Sequence, residues 1–357
     1  MEGIENMQNV YFKIFSYIQS NKATLAIDVL EKQLEYQPKL RNMYSEEQFS
    51  KCIDDIKYHL SFLAEAININ NIKLFEDYVL WAKVLFHNIN MPTKYFIVNL
   101  KCIAEILKAK LDTESYNIVE KFINRCLDVL NNVEITYETF IKYDNPHVEV
   151  LKKYINYVLD GNRNLASKII LDYVESGVNI KEVYCYIFEP ALKEVGRLWQ
   201  TNKITVAQEH YFTATTQLIM AQLYSKIFSG EKNGKKFVAA CVSEELHEVG
   251  IRMVADILEI DGWDTYYLGA NVPKNSVIEF IKQKRPDVFG ISVTVTMNLH
   301  KVIELIDEIR KDEEMSDVKI LVGGYPFNID KELWKKVGAD LYAPNALEAS
   351  SILSEVF

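Results

Sequence analysis

The chain has 357 residues, 49% hydrophobic and 25% charged, with only 13 glycines and 8 prolines, a composition that excludes a disordered or fibrous protein and provides material for two or three folded domains. Its 50 acidic and 40 basic residues give a formal net charge of −10. That excludes nucleic acid as a direct partner, because a duplex must be met by clustered Lys and Arg.

No apolar run is long enough to span a membrane, and the opening Met1-Glu-Gly-Ile-Glu-Asn lacks the basic start of an export signal. The expected location is cytoplasmic, without membrane attachment. Cys52, Cys102, Cys126, Cys185 and Cys241 show no C-x-x-C spacing and sit in apolar patterns, which favours reduced core thiols.

Residues 1–132 read as a helical bundle. Apolar periodicity gives helices over 10–19, 23–34, 45–69, 72–86, 93–109 and 113–130, with breaks at Asn21-Lys22, Gln37-Pro38, 68–71, Met91-Pro92 and Asp112. The starts at Ser45 and Thr113 resemble helix caps. His59, His87 and Trp81 are candidates for contacting a second pigment, although an aromatic stripe at helical spacing is more often plain core. A partner-binding or dimerising role for this bundle is the better expectation, since no basic recognition helix is visible. Residues 133–146, ending in Tyr143-Asp-Asn-Pro146, form a linker.

Residues 147–230 hold four further helical segments, over 147–159, 163–176, 180–200 and 204–228, with Glu189-Pro190 expected to kink the third or delay its start. The run from Gly230 to Lys236 imitates a phosphate loop but has the wrong spacing and precedes its strand. Neither Glu209-His210 nor His247-Glu248 has the spacing of a zinc motif.

From 236 to 357 short apolar strands alternate with helices. Strands are expected at 237–241, 265–268, 287–292, 319–322 and 340–342, and helices begin after Gly250 and near Pro273, Met297, Asp330 and Asn345. The fold class is therefore multidomain: an all-α bundle, a four-helix domain, and an α/β doubly wound parallel sheet in the order 2-1-3-4-5. Ligands of such sheets collect where the strand order reverses, at the strands' carboxyl ends. His247 and Gly250 follow the first strand, Ser292-Val-Thr294 ends the third, and Gly323-Gly324 follows the fourth, so these groups should converge on one crevice.

Glu245-x-His247-x-x-Gly250, then 41 residues, Ser292-x-Thr294, then 28 residues, and Gly323-Gly324 together resemble the signature of cobalamin-binding domains. The resemblance implies that His247 displaces the cofactor's own base and becomes the lower axial ligand of cobalt, while the displaced nucleotide tail lies along the serine loop and the paired glycines. An imidazole suits that task if its second nitrogen is held by an acid. The family usually has aspartate two residues before the histidine; this chain has Glu245.

In the helical domain, Glu194-Val-Gly-Arg-Leu-Trp199, nine residues, and Glu209-His210 resemble the cap of light-responsive adenosylcobalamin regulators. That likeness implies that Trp199 shields the upper corrin face and that Glu209 and His210 line the same pocket. Some of those regulators place a histidine after the tryptophan, where this chain has Gln200.

The first expectation is a non-enzymatic sensory protein, an adenosylcobalamin photoreceptor with output through the bundle to a signalling partner or a homo-oligomer. The alternative is a corrinoid methyl carrier holding methylcobalamin and serving separate methyltransferases, a reading opposed by a tryptophan obstructing the methyl donor. A mutase is disfavoured because no substrate barrel is present, and a scaffold that has lost its cofactor stays a third possibility.

Overall fold

Residues 2–228 and 231–357 are described in a computed structural model, with side chains from Asn9 onward. Met1, at the start expected to lack a leader, and Gly230, which closes the expected four-helix domain and opens the phosphate-loop-like run, lie outside the described residues. The chain divides into two compact units, Met1–Ile135 with Val295–His300, and Thr136–Thr294 with Lys301–Phe357.

The first unit is helical: α1 (Glu2–Tyr36), α2 (Leu40–Met43), α3 (Glu46–Asn68), α4 (Ile72–Asn88), α5 (Thr93–Lys110) and α6 (Thr113–Asn132). Ser45 starts α3 with a capping box, its hydroxyl accepting from Gln48 N while Gln48 Oε1 accepts from Ser45 N. Asp112, not Thr113, caps α6 by accepting from Ser115 N. The expected break at Asn21-Lys22 is absent and α1 runs through it. Asn21 donates to the Tyr17 carbonyl one turn back, and Lys22 reaches Ser61 on α3, so both polar side chains are satisfied without leaving the helix.

The second unit opens with α7 (Val148–Leu159), α8 (Arg163–Glu175), α9 (Ile180–Val183), a π turn (Tyr184–Phe188), α10 (Glu189–Gln200), α11 (Val206–Gln222) and α12 (Tyr224–Ile227). The π turn is the local response to Pro190. Proline lacks the N–H that would bond Tyr186 O and its ring crowds that carbonyl; the backbone widens, and Asn145 Nδ2 donates to Tyr186 O at 2.7 Å.

Next come β1 (Lys236–Cys241), α13 (Val249–Ile260), β2 (Asp264–Tyr267), α14 (Lys274–Lys284), β3 (Val288–Ser292), a 3₁₀ turn (Thr296–Asn298), α15 (Leu299–Lys311), β4 (Lys319–Gly323), α16 (Tyr325–Ile329), α17 (Leu333–Lys336), β5 (Leu341–Tyr342) and α18 (Ala346–Val356). All strand pairs are parallel, in the order β2-β1-β3-β4-β5. The helix expected to start near Asp330 is instead two short ones, the first carrying Pro326 in its opening turn, where a missing N–H costs nothing.

α13 is apolar on two faces because it is packed on both. Val249, Met253 and Ile257 join the core of the four-helix layer, while Ile251, Ala255 and Leu258 join the core of the sheet. Both sets recur at helical spacing.

Candidate functional site

The register levels three strand ends. Cys241 pairs with Ser292 and Ser292 with Gly323, so the segments that follow leave the sheet along one edge. Gly324 has φ 110°, and a Cβ there would collide with the Val293 carbonyl; only glycine permits the chain to pass so close to the end of β3. At Gly250 a Cβ would meet no protein atom within 4 Å, so protein packing does not demand glycine there and leaves room beside the start of α13.

The loop after β1 is held from several sides. Glu244 has φ 66°, its N donates to Asn271 Oδ1 at 2.7 Å, and its carboxylate pairs with Lys301 at 2.8 Å. Glu245 is fully buried and its two oxygens divide the work. Oε1 accepts from His247 N at 3.1 Å and lies 2.6 Å from His247 Nδ1, while Oε2 accepts from Thr294 N at 2.8 Å. The acid thus joins the loop after β1 to the loop after β3.

The His247 side chain is 61% exposed. Its Nδ1 is engaged by the acid and Nε2 has no protein partner among the described residues, so Nε2 is the nitrogen offered to a ligand. The Glu245 hydrogen bond holds the imidazole above its usual pKa, against the effect of burial, and the charges of Glu245 and Glu209 add to the rise.

Of the other expected site residues, Ser292 is buried and Thr294 half-buried at the end of β3. Glu209 is near enough to influence His247 and accepts from Thr213 Oγ1. His210 is 76% exposed and lies 3.0 Å from the Glu209 carboxylate. Trp199 is half-buried in the last turn of α10, as is Gln200. That helix is anchored by buried Glu194, which accepts from Thr139 Oγ1, Phe140 N and Arg197 Nε at 3.0, 2.9 and 3.0 Å.

In the first unit, His59 is buried against Tyr78 OH at 2.7 Å, whereas His87 and Trp81 are exposed. Burial pushes the His59 imidazole down to about 3, so it is a neutral core group, while the other two candidates for contacting a pigment lie at the surface.

Asn271 was not singled out from sequence, and Glu248 was weighed only as half of a zinc pair and set aside. The Glu248 carboxylate accepts from Gln217 Nε2, Tyr267 OH and Ala270 N at 2.7, 2.7 and 2.9 Å. It therefore ties α11 to the turn after β2, beside His247. Its adjacency to His247 was the available signal, but its partners lie 31, 19 and 22 residues away.

The donor set fits a corrinoid: one exposed imidazole with its second nitrogen held by a buried acid, and glycines at level strand ends. Residues 235–351 match the B12 binding domain family and residues 150–224 a second B12 binding domain family, while residues 6–132 match the family described as Phycobilisome protein. Trimethylamine corrinoid protein 1 of Methanosarcina mazei is 24% identical over 208 residues, covering 57% of this chain and 94% of that protein. The dimethylamine corrinoid protein of Methanosarcina barkeri is 33% identical over 129 residues, covering 36% of this chain and 59% of that protein.

The solved monomethylamine corrinoid protein of Methanosarcina barkeri superposes with a TM-score of 0.53 at 21% identity, covering 59% of this chain and all of that one. That likeness shows the fold. These relatives overturn the expectation of an adenosylcobalamin photoreceptor with a signalling output: the cobalamin-binding part resembles methylamine corrinoid proteins, and the alternative named beside that expectation fits them.

Proposed function

Because residues 150–224 and 235–351 carry B12 binding domains and this protein binds cobalamin, we propose that it is a corrinoid methyl carrier serving a separate methyltransferase. The observation that carries the reading is the Glu245, His247 and Thr294 cluster at the level ends of β1 and β3, in a chain whose curated relatives are methylamine corrinoid proteins. The bound corrinoid would supply a cobalt centre that accepts a methyl group from one molecule and yields it to another. The protein itself would hold that cofactor and leave the methyl chemistry to its partner.

In this reading His247 Nε2 is the lower ligand and Glu245 fixes the ring's tautomer and direction. Through Thr294 N the same acid fixes the loop after β3, beside which the nucleotide tail would lie with Ser292, Gly323, Gly324 and Gly250. Trp199, Glu209 and His210 would border the cofactor from the four-helix layer. The objection that an indole blocks the methyl donor assumes Trp199 lies flat over the metal, an arrangement that its half-buried place in the last turn of α10 does not by itself require.

The test is to load the full chain with methylcobalamin and add a corrinoid-dependent methyltransferase with a thiol acceptor. Loss of the methylcobalamin spectrum together with methylated thiol is expected. His247→Ala should weaken cofactor retention and restore a spectrum with the cofactor's own base on cobalt, and Glu245→Ala should weaken retention about 10–100-fold. Retention of adenosylcobalamin with refusal of methylcobalamin would sink the carrier reading, and an unchanged spectrum in His247→Ala would sink the ligand assignment.

A further inference from the structure

The first unit encloses a cavity of about 40 Å³ walled by Tyr44, Phe49, Phe86 and Phe96, with Asp55 and Asn99 as its polar groups of interest. One water needs about 10–15 Å³ of such space, so the cavity has room for roughly three or four non-hydrogen atoms. It is far smaller than the several hundred Å³ usual for a large organic ligand.

Its chemistry is set by unpartnered acceptors. Asn99 is 6% exposed and donates through Nδ2 to Gln33 Oε1 at 2.7 Å, while Gln33 Nε2 donates to Tyr95 O and Gln37 Oε1 at 3.3 and 3.1 Å. A main-chain carbonyl only accepts, so Tyr95 fixes the Gln33 amide and Gln33 fixes Asn99. The end of Asn99 left over is Oδ1, buried and without a hydrogen bond. The half-buried Asp55 has no ion pair or hydrogen-bond partner among the described residues, and burial, with Asp54 adding, pushes its carboxyl up to about 6. His59, also on the wall, is neutral and contributes no charge.

Two unpartnered acceptors, one of them a carboxylate, beside aromatic walls suit a compact donor with positive charge. We propose that this cavity binds a small organic ammonium ion, its N–H groups donating to Asn99 Oδ1 and Asp55 and its carbon atoms lying against the rings. The site is separate from the corrinoid site and does not depend on it.

The full chain, labelled with ¹³C-methyl methionine, is titrated with dimethylammonium chloride, whose two N–H groups can serve both acceptors, while the methyl signal of Met91, a wall residue, is followed. A saturable shift is expected. Asn99→Leu and Asp55→Asn should each weaken binding about tenfold or more, as should ethanol, of like size but neutral, in place of the cation. Asp55→Asn, isosteric and with no protein partner to lose among the described residues, serves as the deciding variant if Asn99→Leu does not fold. No saturable Met91 shift, equal affinity in Asn99→Leu or in Asp55→Asn, or equal binding of ethanol would each overturn the proposal.

Discussion

At the scale of single residues, the site turns on how one carboxylate is shared. Glu245 engages the His247 ring with one oxygen and Thr294 N with the other, a span that uses the full length of the glutamate arm. Glu245→Asp is therefore expected to keep the ring contact and loosen the loop after β3, read as faster amide exchange at Thr294. Glu245→Gln removes the charge that raises His247; the ring's titration midpoint, followed by NMR, should fall.

The sign of the pH effect follows from that rise. Below the ordinary imidazole value the Glu245 contact contributes fully to stability, and the contribution is lost as pH rises through the raised midpoint. Ligation runs the other way, because a doubly protonated ring has no lone pair to offer. Corrinoid affinity, measured by spectral titration, should increase as pH rises through that same midpoint and do so at lower pH in Glu245→Gln. Gly324→Ala should cost about 2–4 kcal/mol in urea denaturation, combining strain at positive φ with overlap on Val293. The bond between Glu245 and His247 was legible because both flank a strand end and lie two residues apart. Glu248 was not, because its partners come from remote turns.

At the scale of elements, Tyr184 in the π turn donates to the mostly buried Asp256 of α13 at 2.8 Å. Burial raises the Asp256 carboxyl above its ordinary value, with the Tyr184 hydrogen bond pulling it back. A raised carboxyl binds its proton more tightly folded than unfolded, so the second unit should lose stability as pH rises through that window. Tyr184→Phe is expected to cost about 1–3 kcal/mol and to deepen the loss, a difference that denaturation at two pH values on either side of the window would reveal. The strand order was legible because five short apolar runs alternate with helical ones. The course of α1 was not: Asn21-Lys22 has the composition of a break, yet the partners that keep both side chains content in a helix, Tyr17 O and Ser61, become visible only once the helices are packed.

At the scale of the whole molecule, His247, the proposed ligand, belongs to the second unit, so methylcobalamin at about a hundred times its Kd should add roughly 2.7 kcal/mol there. Calorimetry of the full chain should show that transition moving upward, and His247→Ala should shrink the shift. No described helix is long and apolar enough to cross a membrane. The class of cofactor was legible because histidine, serine and glycines fall at fixed strand ends. The cofactor's role was not, because a tryptophan and a Glu-His pair in the helical layer are residue types that suit any corrin face and do not distinguish an adenosyl from a methyl group.

α13 begins two residues beyond His247 and is gripped on both sides, by Val249, Met253 and Ile257 on one and by Ile251, Ala255 and Leu258 on the other. Prying the helical layer from the first of those faces would wet three apolar side chains, an uphill step of about 5–8 kcal/mol. A helix pinned on both flanks should keep the imidazole's loop in place before any ligand arrives.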